Sequence, residues 1–171
     1  IGVITSIGDT HIKNFGSLEK IRQEKSSLVK TIDRGGWAVL NIDDKQTKSL
    51  LKEIKAKILT YGLDNESEIS GQEIRLIFAG MPDENDKLGI NFKLVGRNAF
   101  IPVFLPNVIS RAGVYAALSG AAIGVIKGMN LVEISQALKK YSPPNGRMRL
   151  INGIKNTYII DDPYNASPAA C

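Results

Sequence analysis

The feature that most constrains this chain is the order of its apolar runs over residues 1–63. A short continuous run is followed by an amphipathic stretch, a second run, a second amphipathic stretch and a third run. Strand–helix–strand alternation of this kind uses right-handed crossovers and implies a parallel sheet flanked by helices. The expected strands are 2–7, 37–42 and 56–61, the first reading as a buried strand. Ser17 is placed to cap a helix that runs to about residue 32 and closes at Arg34-Gly35-Gly36, and Asp44 to open a second helix through residue 55.

After residue 68 the pattern changes. Short β-rich runs at 73–78, 89–95 and 99–104, separated by turn-rich stretches such as 81–85, predict an antiparallel appendage on the parallel sheet. Two helices follow, at 108–127 and 131–141. The first is rich in Ala and Gly and so able to pack very close; in the second, Asn130 and Glu133 have the spacing of a capping box. The segment Ser142-Pro143-Pro144-Asn145-Gly146 breaks the chain, and 149–154 and 157–161 read as a last pair of strands. The expected class is α/β, a mainly parallel sheet between helices with an antiparallel β appendage.

With 171 residues and 43% hydrophobic content the chain suits one domain, or one domain plus part of another, folding as a soluble globular protein. No apolar stretch reaches the roughly 20 residues of a membrane helix, and no signal pattern opens the chain, so no membrane insertion is expected. A single cysteine, Cys171, allows no intrachain disulfide or cysteine metal cluster, which suits a reducing cytoplasm. Both ends read as cut, which implies an internal fragment. The net charge of +5 is uneven: between residues 110 and 155, Arg111, Lys127, Lys139, Lys140, Arg147, Arg149 and Lys155 face a lone acid, Glu133. Such a half attracts phosphates of any origin or is simply a solvated face. Few aromatics interleave with these charges and no nucleic-acid motif occurs, which argues against nucleic acid as partner.

Ligands of open α/β sheets bind at the carboxyl ends of the strands. The polar residues there are Gly8-Asp9-Thr10-His11, then Asn41 with Asp43-Asp44, then Asp161-Asp162 with Tyr164-Asn165. His11, the one histidine, has the chemistry of a metal ligand or general base, or is an exposed loop residue. Lys25 falls within the apolar stripe Leu18, Ile21, Leu28, Ile32 of the first helix. Either its stem packs there while the ammonium snorkels to water, or the amine is desolvated and open to modification. Asp161 and Asp162 suit a metal, a ribose or a plain turn before Pro163. No G-x-x-x-x-G-K-[ST] or helix-opening G-x-G-x-x-G occurs, so any cradle for β- and γ-phosphates lies outside this chain.

Taken in order, Ile4-Thr5-Ser6-Ile7-Gly8, His11, Phe15-Gly16-Ser17-Leu18-Glu19, Glu24-Lys25 and Val39-Leu40-Asn41-Ile42-Asp43-Asp44 resemble the second half of the central ATPase domain of the Mur ligase family. Gly146-Arg147-Met148 and Ile160-Asp161-Asp162-Pro163-Tyr164-Asn165-Ala166-Ser167-Pro168 resemble its passage into the C-terminal domain. This implies that residues 1–157 form part of the central ATP-binding domain and that 158–171 begin the link to the next. Tyr164-Asn165-Ala166 resembles the member that adds D-alanyl-D-alanine. The activity implied is an ATP-dependent amide ligase in which ATP phosphorylates the carboxylate of UDP-N-acetylmuramoyl-tripeptide and the amine of D-alanyl-D-alanine attacks the acyl phosphate, with Mg2+ neutralising charge on the transferring group. By position, His11 matches a histidine near the second magnesium, Lys25 a lysine that is often carbamylated, Arg147 an arginine near the nucleotide phosphates and Asp162 an aspartate that binds the ribose. Tyr164 and Asn165 fall at a substrate or interdomain position.

The sequence also departs from the family. Ala112-Gly113 stands where the resemblance leads one to expect His-Asn, removing the asparagine expected to read adenine, and Pro163 replaces a serine, which stiffens the link. The expected result is a fragment inactive alone. The alternative expectations are a non-catalytic binding or scaffolding module descended from a Mur ligase, and a related amide ligase with another amino-acid substrate.

Overall fold

A computed structural model describes residues 1–9, 12–63, 66–77, 88–96, 98–155 and 157–164. Strands β1 (Gly2–Ile4), β2 (Trp37–Asn41), β3 (Lys57–Gly62), β4 (Ile69–Ile77), β5 (Gly89–Gly96) and β6 (Ala99–Pro106) form one sheet in chain order. Neighbours are parallel from β1 to β4 and antiparallel from β4 to β6. Only Tyr61↔Ile69 and Gly62↔Ser70 pair β3 with β4. The antiparallel wing therefore begins at the carboxyl end of β3 and projects beyond it, standing beside the edge where ligands of such sheets bind. A register shift between Gln72 and Arg75, with Glu73 at φ +52°, bulges β4 within the wing.

Each face of the sheet has its own core. Helices α1 (Ile12–Phe15), α2 (Leu18–Lys30) and α3 (Lys45–Ser49) come between the parallel strands. The core by α2 gathers Ile4, Ile7, Ile21, Val29, Ala38, Leu40 and Leu50; the opposite core joins Val39, Leu59 and Tyr61 to α4 (Arg111–Ile126) and α5 (Leu131–Leu138). Alternation along β2, Ala38 and Leu40 to one side and Val39 to the other, separates the two. On α4 the small residues serve close approach: a Cβ on Gly124 would sit 3.0 Å from Ile134 of α5. The Asn130–Glu133 capping box is present at the start of α5. A separate antiparallel ribbon, β7 (Arg149–Asn152) with β8 (Tyr158–Asp161), joins the body through a bridge between Val108 and Arg149.

Two helical expectations change. Ser17 and Asp44 cap as expected, their side chains accepting from the N–H groups of Lys20 and Thr47. The second helix nevertheless stops at Ser49 and tightens into a 3-10 turn, Leu50–Lys52, rather than reaching residue 55. The tighter turn buries Leu50 completely, and Glu53 just beyond it is held by Arg22 and Lys30 of α2. Helix α2 buries Ile21, Ser26 and Val29, with Leu18 and Ile32 packed partly against the same core, so the expected stripe meets the core through Leu18, Ile21 and Ile32 but not through Lys25 and Leu28. The buried face is turned toward Ser26 and Val29, each one residue on from Lys25 and Leu28. Leu28 is consequently 53% exposed, and Lys25 is exposed rather than desolvated.

Candidate functional site

At the carboxyl edge of the parallel strands, polar bonds tie together the segments that follow β1, β2 and β3. Asn41 closes β2 and is 7% exposed; its Nδ2 donates to the Thr5 carbonyl (3.0 Å) and its Oδ1 accepts from the Asp43 N–H (3.1 Å). Asp43 Oδ2 accepts from the Leu63 N–H (2.6 Å), just past β3, and from the Tyr115 hydroxyl (2.8 Å) near the start of α4. A Cβ on Gly62 would lie 2.6 Å from Asp43 Oδ1, so the missing side chain is what lets the carboxylate approach β3. Burial, and then the bond to Asp43, pushes the Tyr115 hydroxyl up to about 12. Tyr61, fully buried on β3, is pushed up too, by burial first and then by the nearby Tyr115 and Asp43; its hydroxyl has no hydrogen-bond partner among the described residues.

Lys25 reaches the same edge from α2. Its Nζ donates to the Ser6 carbonyl (3.0 Å), next to the carbonyl that Asn41 holds. The expectation that Lys25 is buried in the apolar stripe fails, yet the side chain does end at the strand-end loop that leads to His11. His11 itself, and Asn165, lie outside the described residues.

The second cluster is the turn carrying Arg147. Gly146 (φ +73°) and Met148 (φ +47°) on either side of it both adopt the left-handed region. The Gly146 N–H donates to Asp161 Oδ2 (2.8 Å) and the Met148 N–H to Asp162 Oδ1 (3.1 Å). Tyr164 closes the loop, its N–H donating to the Gly146 carbonyl (3.2 Å), and its ring lies 4.0 Å from the Arg147 guanidinium carbon. The acidic pair thus has a definite task, since each carboxylate holds one backbone amide beside Arg147. Arg147 is exposed, and among the described residues no carboxylate comes within ion-pair distance of it. Among the described residues no group of three His, Cys, Asp or Glu side chains is placed to hold a metal ion.

The sequence singled out Asn41, Asp43, Lys25, Arg147, Asp161, Asp162 and Tyr164, and the structure sorts them into these two clusters. Tyr115 was missed. Its one signal is a phenol among the small and aliphatic residues of α4, too little to name a partner 72 residues away.

Residues 1–101 match the family described as "Mur ligase middle domain". Among curated relatives the chain is similar to the UDP-N-acetylmuramoyl-tripeptide–D-alanyl-D-alanine ligase of Mycobacterium bovis, with 29% identity over 98% of this chain and 31% of the relative. It is also similar to the UDP-N-acetylmuramate–L-alanine ligase of Alkaliphilus metalliredigens, with 24% identity over 95% of this chain and 34% of the relative. Among solved structures it is similar to MurF from Acinetobacter baumannii, with a TM-score of 0.80 and 26% identity over 98% of this chain and 34% of that one. The chain therefore spans about a third of the length of the relatives it matches.

Proposed function

Since this chain belongs to the Mur ligase family, we propose that it is the central nucleotide-handling part of a longer, ATP-dependent ligase that joins D-alanyl-D-alanine to UDP-N-acetylmuramoyl-tripeptide through an acyl phosphate. The observation that favours this substrate is the Tyr164-Asn165-Ala166 resemblance, since likeness along 98% of the chain is shared by ligases that add D-alanyl-D-alanine and ligases that add L-alanine. In this reading residues 1–157 belong to the central domain and 158–171 begin the link to the next; β8 pairs with β7 across that boundary. The protein works in the cytoplasm, and among the described residues no helix is long and apolar enough to cross a membrane.

Arg147 is then the cation that meets the nucleotide phosphates, and its exposed guanidinium, free of any carboxylate partner among the described residues, suits that task. Asp162 faces the ribose, with one oxygen already given to the Met148 amide. The base side of the nucleotide finds less: a Cβ on Gly113 would lie 2.3 Å from Val108 Cγ1, so the position expected to read adenine offers no side chain and no room for one. Magnesium is ascribed to Lys25, carbamylated so that its cation becomes an anionic oxygen ligand, and to His11, together with groups beyond this chain, because the described residues assemble no metal site. Tyr164 and Asn165 belong to the interdomain link.

The test uses the full-length protein with ATP, UDP-N-acetylmuramoyl-tripeptide and D-alanyl-D-alanine. Phosphate release that requires both acceptor substrates, with a product heavier by the dipeptide, is the expected result. Turnover only with UDP-N-acetylmuramate and L-alanine would overturn the substrate assignment. The 171-residue chain alone is expected to release no phosphate. A second reading, a non-catalytic module descended from such a ligase, draws on the closed position at Gly113. It predicts precursor binding without phosphate release by the full-length protein.

A further inference from the structure

Four separate contacts converge on Arg147, and all come from the segment 161–164. Asp161 takes the amide before it and Asp162 the amide after it. Tyr164 holds the Gly146 carbonyl with its own N–H and places its ring against the guanidinium at 4.0 Å. The Arg147 N–H is satisfied locally by the Pro144 carbonyl (3.2 Å), so the turn has its own backbone bond and the outer contacts fix its orientation. A Cβ on Gly146 would meet Pro163 and Tyr164 at 3.6 Å, so the turn lies directly against that segment. An arginine on a free loop would spread its charge over many rotamers and lose side-chain entropy on binding an anion. A guanidinium held against a ring has lost much of that freedom beforehand, while the exposed side chain keeps N–H groups that can donate to a planar oxyanion in bidentate fashion.

We propose that Tyr164 is a positioning residue for Arg147: its ring, on a segment that also brackets the Arg147 backbone through Asp161 and Asp162, pre-orients the guanidinium for the phosphates of a nucleoside diphosphate or triphosphate. This rests on the reading of Arg147 given above and adds to it a residue that acts through the arginine rather than on the ligand. It also makes the presentation of Arg147 depend on where the segment 161–164 lies.

The test compares Tyr164→Leu, Tyr164→Phe and Arg147→Ala in the full-length protein by two measurements. One is the upfield ring-current shift of the Arg147 side-chain N–H resonances without nucleotide. The other is the equilibrium affinity for ADP in the presence of magnesium. Tyr164→Leu is expected to abolish the shift and weaken ADP binding about fivefold, the size of one exposed cation–π contact; Tyr164→Phe is expected to restore both. Equal weakening by Leu and Phe would overturn the proposal, because the ring would not be the active feature. If Arg147→Ala weakens ADP binding while Tyr164→Leu does not, positioning by Tyr164 is overturned and the role of Arg147 stands. If Arg147→Ala binds ADP as the unaltered protein does, both fall. Tyr164 is 62% exposed, so its substitution should leave the fold intact, which a thermal melt checks.

Discussion

The two clusters are built in contrasting ways. At the strand-end corner, Asn41 and Asp43 reach across 36 and 72 residues of sequence to the Thr5 carbonyl and the Tyr115 hydroxyl, and Asn41 is almost wholly buried. Around Arg147 the ties span 14 and 15 residues, and Arg147 and Tyr164 are exposed. The tying bonds are half-buried at both places, but at the corner they join segments far apart in the chain, whereas at the turn they stay within one short stretch. The corner is thus a rigid datum fixing where the strand-end loops lie, and the Arg147 turn is an adjustable part carried beside them. Rigidity and ligand contact are divided between two sets of residues.

The sharpest way to break this contrast is to remove Asp43. Asp43→Ala leaves the Leu63 amide and the Tyr115 hydroxyl without their acceptor and is expected to cost about 2–3 kcal/mol. Asp161→Ala, which frees a single half-buried amide, should cost about 1 kcal/mol. Urea unfolding midpoints at unchanged slope would measure both. Equal losses would mean that the corner is no stiffer than the turn.

Gly113→Asn places a side chain at the position that the resemblance leads one to expect to read adenine. Its Cβ would collide with Val108, and the substitution is expected to cost about 1–3 kcal/mol through overpacking. Combined with Val108→Ala, which opens that space, the pair should be coupled by at least about 0.5 kcal/mol in the direction of relief. Strict additivity would show that Val108 is not what closes the position.

A smaller effect is read through pH. Tyr115 titrates near 10 when unfolded and at about 12 when folded, so its neutral form is favoured by the fold. The resulting stability is fully present below pH 10 and is lost as pH rises through about 12. Tyr61, shifted upward as well, adds to the same alkaline decline. Tyr115→Phe should cost about 1 kcal/mol at neutral pH and make the decline shallower without abolishing it. A decline of unchanged steepness in Tyr115→Phe would remove Tyr115 from the corner.

The fold was largely legible because its signals are local. The apolar runs of β1 to β3, the caps at Ser17 and Asp44 and the capping box at Asn130 are each set by neighbouring residues. What escaped depends on distant partners. The early end of α3 follows from the burial of Leu50 and from the grip of Arg22 and Lys30 on Glu53, and β4 begins at Ile69 because it pairs with the end of β3. The same limit applies to the clusters: the acidic pair was visible as Asp161-Asp162, but its service to the amides beside Arg147 became clear only with the turn in place. The spacing of α2 also admitted two faces, and Ser26, small enough to lie under the helix, won over Lys25.

That last choice gives the smallest expected effect and a direct check on which face is right. If Lys25 sat in the apolar stripe, Lys25→Ala would change core packing and shift stability appreciably, whether by lost stem contacts or by relief of a buried cation. On the exposed face it gives up a single bond to the Ser6 carbonyl, which water can replace, and the urea midpoint should move by less than about 0.5 kcal/mol. Under the proposed function the same substitution in the full-length protein abolishes turnover, so a near-silent change in folding would accompany a complete change in activity. A loss of stability above about 1.5 kcal/mol would put Lys25 back in the core, and its effect on turnover could then be ascribed to folding alone.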